Sequence, residues 1–412
     1  MLIIIIYFLE MIFSLELGKI IGETDKTNLT LLYLLINTII LIFIFKVKAK
    51  DKTMFMIFVM ALIIRLVALF IDKNFTTLPF NTDDAQMFHG LASDLADNIA
   101  LINNEKYDYG GIYTRFLGVI YYSFGKSMIW GQFTNILLVI LAGLKLLDIC
   151  EMLDIKYKYA KIGILVYLFA PIPFLTGIAL IREALIYYCI MLATYYFFKA
   201  LKKNRIYIVL SILYIYIASL CHEGVILLAF MCIYGVIFYR RKNNKLYTGV
   251  FNWGFLITCV IIAYLIIDKD PSKFLYTVNL DTGGGSAYLQ GIKIETAMEF
   301  MLFSPIKAIY LIFSPMIWKV RGAVDIMALC LDTGIFVYTA ILVLKNYKSL
   351  DAFSIMLLIG IVSLSLIFGA GTLNTGTAIR HRNKFVVLFL ILSMIIKTST
   401  DKEVEADVSL WC

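Results

Sequence analysis

Charge is scarce in this chain. Asp, Glu, Lys and Arg make up 16% of its 412 residues and 61% are hydrophobic, where a soluble domain is about a quarter charged and about half apolar. That balance excludes an ordinary soluble enzyme. The seven cysteines never approach a CxxC spacing, which excludes a zinc ribbon and argues against a disulfide framework. Segments of about ten residues with strict alternation are missing too, so a transmembrane β-barrel is excluded. No helix-turn-helix or RNA-binding signature accompanies the net charge of +8. The excess suits basic loops beside a membrane and speaks against a nucleic-acid partner. No GKS or GKT follows the glycine run at 283–285, so it is not a Walker loop.

What the chain has instead is apolar length, with a mean hydropathy of +0.87. Leu29–Phe45, Met54–Ile71, Ile206–Cys221 and Val324–Leu344 each approach or reach the span of a bilayer. Met1–Phe13 lacks a basic leader and a small-residue cleavage site, and Glu10 and Glu16 interrupt the stretch. It reads as a retained first span rather than a signal peptide. The fold class is therefore all-α: a polytopic integral membrane bundle of about 11–13 transmembrane helices at roughly twenty residues each. No internal repeat or linker divides it, so one membrane domain over residues 1–412 is the simplest organisation.

Basic loops set the orientation. Lys46–Lys52, Lys199–Arg205, Arg240–Lys245 and Lys345–Lys348 carry the lysines and arginines expected on the cytoplasmic side, and Lys156, Lys158 and Lys161 join them. Two segments, 72–128 and 268–322, then fall outside as partly helical extracytoplasmic pieces. Within them, Ile112–Phe124 is short for a crossing and Phe300–Trp318 carries Pro305 and Pro315. Leaving both as non-crossing keeps every basic loop inside. Ile162–Ile181 is expected to kink or break at Pro171, Pro173 and Gly177.

Three polar clusters interrupt the apolar sequence, and all three histidines fall in them: Asp83-Asp84 with His89, Arg182-Glu183 with His222-Glu223, and Arg380-His381-Arg382. Charge at a membrane edge is costly unless solvated, paired or used. Asp83 and Asp84 precede a helical pattern of Phe88, Leu91, Ala92, Leu95 and Ile99 that describes an amphipathic interfacial helix, with Asn81 or Thr82 as its cap. Acids in a first helical turn are favoured by the dipole alone. As chemistry, one carboxylate can take a proton from a sugar hydroxyl, or the pair can hold a divalent ion such as Mg or Mn. Arg182 offers a guanidinium suited to bidentate phosphate binding, and His222 beside Glu223 offers an acid, a base or a phosphate ligand. In the late segment, Gly371 to Lys384, small and hydroxyl residues lead into Arg380, His381 and Arg382, a concentration of positive charge fit for a pyrophosphate leaving group. The stretch Asp281–Ser286 reads as a plain loop or a flexible lid.

The residues Thr82-Asp83-Asp84-Ala85-Gln86-Met87-Phe88-His89 resemble the first external loop of GT-C-type membrane glycosyltransferases, and Ile112-Tyr113 through Ser127 is similar to the stretch after that loop. The run from Pro173 to His222, and Gly376 to Arg382, resemble surface-polysaccharide (O-antigen and capsule) polymerases. The resemblance spans roughly Leu78 to Lys384 in short motifs. It implies a site outside the cytoplasmic (inner) membrane acting on polyprenyl-phosphate-linked or polyprenyl-pyrophosphate-linked sugar donors and a glycan acceptor, with a chain-length regulator protein as a partner. Carried over, Asp83 or Asp84 is base or ion ligand, and Arg182, Arg380 and Arg382 bind phosphate. The acidic pair is adjacent here, not a separated DxD or DE, which weighs against metal use.

The expected function is polymerisation of undecaprenyl-pyrophosphate-linked repeat units. Catalysis is assigned to Asp83, Asp84, His222 and Glu223, and substrate binding to His89, Arg182, Glu183, Arg380, His381 and Arg382. The alternatives are transfer of a single sugar from a polyprenyl-monophosphate donor, a transporter or lipid flippase, or an assembly partner without catalysis.

Overall fold

A computed structural model describes residues 2–17, 23–243, 245–247, 249–270, 275, 279, 286–289 and 292–411. The chain is all-α and polytopic. In order, the helices are α1 (Leu2–Leu17), α2 (Glu23–Lys48), α3 (Lys52–Asn74), α4 (Asp83–Asp97), α5 (Ile112–Phe124), α6 (Met128–Met152), α7 (Tyr157–Phe169), α8 (Pro171–Thr176), α9 (Glu183–Lys202), α10 (Tyr207–Cys221), α11 (Ala229–Phe238), α12 (Val250–Lys269), α13 (Ala297–Phe313), α14 (Ala323–Met327), α15 (Thr333–Lys345), α16 (Ala352–Ala370), α17 (Thr375–Asn383) and α18 (Val386–Trp411). The described strands are Tyr239–Arg240 and Lys245–Leu246, which pair antiparallel as a basic hairpin.

Among the described residues, seven helices are long and apolar enough to cross a bilayer, or eight when α17 and the first part of α18, bent by 55°, form one broken span. Tyr207–Cys221 and Glu223–Phe238 are shorter apolar helices. The larger number expected from the sequence includes shorter apolar runs as spans. Within Met1–Ile20, residues 2–17 form α1, and residues 1 and 18–20 lie outside the described residues. Ile162–Ile181 breaks where the prolines predict: α7 ends at Phe169, α8 is one short turn of helix, and the chain is irregular from Gly177 to Arg182. Ile112–Phe124 is a 13-residue helix, too short for the roughly twenty residues a crossing needs.

The chain divides into two compact units: residues 1–144, 173–188 and 220–222 form the first, and residues 145–172, 189–219 and 223–412 the second. In the first, α4 packs along α5, and α5 along α1. α4 buries Ala85, Phe88, Ala92, Leu95 and Ala96, close to the predicted stripe, because an apolar face at i, i+3, i+4, i+7 must find cover. Two acids of α4 pair on the outside, Asp94 with Lys106 at 2.9 Å and Asp97 with Lys126, and Arg115 of α5 pairs with Asp108 at 2.6 Å. α3 hides one cation inside a span. Arg65 is fully buried, donates to the Ala61 carbonyl at 3.1 Å and lies 4.9 Å from the Phe174 ring.

In the second unit, the basic loops gather at one end. Lys202 donates to the Met152 carbonyl at 2.6 Å and to Asp154 at 3.2 Å, and Arg241 donates to the Lys202 carbonyl. Lys158 pairs with Asp401 at 2.5 Å, and Thr400 meets Asn346 at 3.3 Å. This is the arrangement the positive-inside pattern predicts for loops on one membrane face. α16 runs from that end, where Phe353 lies beside Tyr239, to the Gly371–Lys384 segment. Its 19 residues rise about 28 Å, so within this unit the late segment occupies the opposite end from the basic loops. α12 covers almost nothing. Ile267 is its buried residue, while Phe251 and Trp253 are 77% and 71% exposed, as a lipid-facing span requires.

Candidate functional site

In the first unit the acidic segment is held by a carboxylate at the end of α3. Asp72 accepts from the Leu78 backbone at 2.7 Å, from Asn81 Nδ2 at 2.5 Å and from Gln132 Nε2 at 2.8 Å. These bonds fold residues 75–82 back over the helix end, with Phe80 at φ 70°. Asn81, buried, accepts from the Leu180 backbone through Oδ1 at 3.1 Å. It therefore acts as a tether. The cap position of α4 is Thr82, whose side chain makes no capping bond. Asp83 and Asp84 open α4 as expected. Asp83 is exposed, and Asp84 is half-buried and accepts from the Tyr109 hydroxyl at 3.2 Å.

Two glycines follow Tyr109 in the left-handed region, at φ 72° and 66°, where a side chain is strained. A Cβ on Gly110 would lie 2.2 Å from the Phe88 ring, and one on Gly111 would lie 1.8 Å from the Leu220 carbonyl oxygen. The backbone after the acidic helix thus rests directly on the end of α10. Arg182 reaches the same place, donating from Nη1 to the Cys221 carbonyl at 2.8 Å. His222, half-buried, is the next residue.

The irregular turn that carries Arg182 is shaped by a buried amide. Asn135 Nδ2 donates to the Ala179 carbonyl at 2.7 Å and the Ile181 carbonyl at 3.0 Å, and it pairs with the Tyr113 hydroxyl at 3.0 Å. Glu183, buried, begins α9. Short steps thus link Asp84, Tyr109, Gly111, Cys221 and Arg182. The structure brings the acidic segment, the Arg182-Glu183 turn and His222 into one neighbourhood of the first unit. His89 sits further along α4, about one and a half turns beyond that start. Its Nδ1 is 3.0 Å from the Tyr121 hydroxyl, and burial, with the charge of Lys73, lowers its basicity. A neutral imidazole offers phosphate one donor and no charge.

The remaining predicted residues belong to the second unit. Glu223 is exposed and opens a 3₁₀ turn over Glu223–Leu228. The late loop starts at Asn374, which caps α17 by accepting from the Thr377 backbone at 2.9 Å. It pairs with the second polar segment: Thr375 N donates to the Ser286 carbonyl at 3.0 Å, Tyr288 N to the Leu373 carbonyl at 3.1 Å, and Ala287 bridges Asn374. The glycine run at 283–285 lies outside the described residues. Arg380 and His381 are half-buried, and His381 Nδ1 is 3.0 Å from the Thr372 hydroxyl.

Arg382 differs from its neighbours. It is fully buried. It donates to the Ile312 carbonyl at 2.8 Å, the Thr333 hydroxyl at 3.1 Å and the Ala328 carbonyl at 3.2 Å, and its guanidinium lies 4.8 Å from the Phe336 ring. Asp332, fully buried and bonded to the Ile172 backbone at 3.2 Å, supplies nearby negative charge. An arginine committed to three helix ends acts as a staple, whereas the sequence pattern places it among the phosphate ligands.

The sequence pattern does not single out Asp72, Gln132, Asn135 or Tyr113 for the site, and it offers Asn81 as a cap where the structure makes it a tether. A polar amide inside the apolar run of α6, as at Gln132 and Asn135, was the signal for them. Among the described residues, no three His, Cys, Asp or Glu side chains come together as metal ligands. Asp83 and Asp84 are consecutive in the first turn of α4, where neighbouring side chains do not face each other, and Asp84 accepts from Tyr109, so the pair does not form an ion site by itself. No family model, curated protein or solved structure matches the chain.

Proposed function

We propose that this multi-pass membrane protein is a glycosyltransferase of surface-polysaccharide assembly. In this reading it polymerises undecaprenyl-pyrophosphate-linked repeat units at the outer face of the cytoplasmic membrane. The supporting observation is the chain of short contacts in the first unit that runs from Asp84, next to the exposed Asp83, through Tyr109 and Gly111 to the end of α10, where Arg182 is bonded and His222 follows. General base, phosphate ligand and proton carrier are the parts that glycosyl transfer from a phosphorylated lipid needs.

The chemistry balances with those groups alone. A carboxylate of the Asp83-Asp84 pair, or His222, takes the proton of the acceptor hydroxyl. The oxygen bonds to the anomeric carbon of the donor as the bond from that carbon to the pyrophosphate oxygen breaks. The electron pair leaves on the pyrophosphate, whose growing charge Arg182 stabilises. In the second unit Arg380 and His381 reach the surface and are the late-loop residues suited to an anion. Arg382 holds that loop in place.

The test is extension of a purified polyprenyl-pyrophosphate oligosaccharide by the reconstituted protein. A product ladder is expected, lost in Asp83→Asn/Asp84→Asn and reduced about 10²–10³-fold in Arg182→Ala, the usual effect of removing one charge-stabilising donor. Addition of one sugar from a polyprenyl monophosphate would assign the protein to single-sugar transfer. No turnover of either donor, with lipid movement across the bilayer instead, would remove the glycosyltransferase reading.

A further inference from the structure

From Ala184 to Ile267 the sequence holds eight lysines and arginines and a single acid, Glu223. The cations lie at the end of α9, in the loop that follows it and in the hairpin of residues 239–246. Glu223 follows the far end of α10. The hairpin is therefore cationic with no acid of its own.

Its place in the fold puts that charge at a membrane edge. Tyr247 N donates to the Phe238 carbonyl at 2.7 Å, which closes the hairpin on α11. α12, long and apolar enough to cross a bilayer, begins just after it and packs its Phe255 ring 5.3 Å from Phe238 and 5.7 Å from Phe230. Tyr247 and Trp253 are 44% and 71% exposed, as aromatic residues are at headgroup depth.

Two observations point to an anion at the hairpin. Arg240 and Lys245 are cross-strand partners, and both are exposed. Their side chains leave the same face of the ribbon, where like charges directly opposite repel. An anion between them offsets that repulsion. The second observation is the lack of protein acids to do so. Arg241 donates to the Lys202 carbonyl, which ties the hairpin to the loop after α9. Lys202 pairs with Asp154 at 3.2 Å, and Asp351 caps α16 by accepting from the Ser354 backbone at 2.8 Å. Lys203, Arg205, Arg240, Lys242 and Lys245 are exposed. Among the described residues, none of these five forms an ion pair with a carboxylate.

The neighbouring span selects the kind of anion. Trp253, Ile257, Val260 and Ile261 lie on one face of α12, and each is more than half exposed. Acyl chains cover such a face in a bilayer. A phospholipid lying along it brings its phosphate to the level of the hairpin.

We propose that the hairpin is a headgroup site for an anionic glycerophospholipid of the leaflet it meets. Arg240, Lys242 and Lys245 hold the phosphate, and the acyl chains follow α12. The site is independent of the glycosyltransferase reading, because it uses none of the residues assigned to that chemistry.

The test uses Trp253 as a local reporter in the reconstituted full-length protein carrying Trp318→Phe and Trp411→Phe. Trp130 is buried and shielded from lipid. Quenching by brominated phosphatidylglycerol should show about fivefold or tighter binding than brominated phosphatidylcholine, the gain expected from one basic residue near an anionic surface. Arg240→Gln/Lys242→Gln/Lys245→Gln should bring the two lipids level. Unchanged quenching by phosphatidylcholine in that variant shows that the fold is kept. Lys345→Gln/Lys348→Gln, in another basic loop of the same unit, should leave the preference intact. Equal binding of the two lipids to the parent protein overturns the proposal. So does a preference that survives the triple substitution or is lost equally in Lys345→Gln/Lys348→Gln. Displacement of phosphatidylglycerol by millimolar inorganic phosphate also overturns it and assigns the hairpin to soluble phosphates.

Discussion

Asn81 Oδ1 and the backbone nitrogen of Leu180 are joined by a 3.1 Å hydrogen bond across 99 positions of sequence. The same side chain gives its amide protons to Asp72 at 2.5 Å. One buried residue thus fixes the loop before Asp83 and the turn before Arg182 to each other. Asn81→Ala leaves an Asp72 oxygen and the Leu180 N–H short of a partner, a loss of about 1–3 kcal/mol. The expected result is a lower unfolding temperature in detergent together with reduced chain extension. Asn81→Asp keeps the acceptor but sets a carboxylate against Asp72, so it should be worse than Ala. A variant set with unchanged unfolding and unchanged activity would show that the two loops do not depend on this tether.

Gly111 permits a separate check on the same neighbourhood. Its φ of 66°, and the Leu220 carbonyl oxygen only 1.8 Å from where a Cβ would stand, leave no room for a side chain. Gly111→Ala should destabilise the protein by more than about 2 kcal/mol, the sum of a strained backbone and a displaced carbonyl. Gly90 is the control. It lies within α4, and a Cβ there meets nothing within 4 Å, so Gly90→Ala should stabilise by about 0.5–1 kcal/mol through helix propensity. Thermal unfolding of the two variants should move in opposite directions.

Much of the fold is legible because a bilayer demands long apolar helices. Met54–Ile71 appears as Lys52–Asn74, Ile206–Cys221 as Tyr207–Cys221, and Val324–Leu344 within Ala323–Lys345. The break after Phe169 is legible too, since Pro171 removes a donor and crowds the preceding turn. What composition hides is partnership at long range. Asp72 looks like the end of a span, yet it organises Leu78, Asn81 and Gln132. Arg382 and Arg380 are two positions apart and chemically identical, but helical geometry turns one inward to three carbonyl and hydroxyl oxygens and leaves the other half-buried. Residue type alone cannot make that distinction, and it changes what each arginine is able to bind.

His89 gives a prediction in pH. Burial, and behind it the charge of Lys73, lowers its folded pKa below the ordinary 6.5. The unfolded chain therefore binds more protons than the folded one in the window below 6.5, and stability rises with pH there. The stability associated with neutral His89 is present above 6.5 and is lost as pH falls from 6.5 through the folded value. Unfolding temperatures measured between about pH 7.5 and 5 should decline on the acid side, and His89→Gln should flatten part of that decline while keeping a donor for Tyr121. An identical pH profile in the variant would assign the acid sensitivity to other groups.

Arg380 and Arg382 should separate cleanly when each is replaced. Arg382→Ala removes the donors that serve Ile312, Ala328 and Thr333 and leaves the buried Asp332 without its compensating charge. Breaking such a buried arrangement costs about 3–5 kcal/mol, so little folded protein should be recovered. Arg382→Lys keeps the charge but lacks the planar fork that reaches three acceptors, and it should recover folding only in part. Arg380→Ala removes a half-buried side chain and should leave the stability within about 1 kcal/mol of wild type. If the late loop serves the anion of the reaction, the same change lowers extension of the lipid-linked glycan. The comparison is made by unfolding in detergent alongside the extension assay. A stable, folded Arg382→Ala protein that has lost only activity would return that residue to the set of substrate ligands, and an inert Arg380→Ala would remove the late loop from the chemistry.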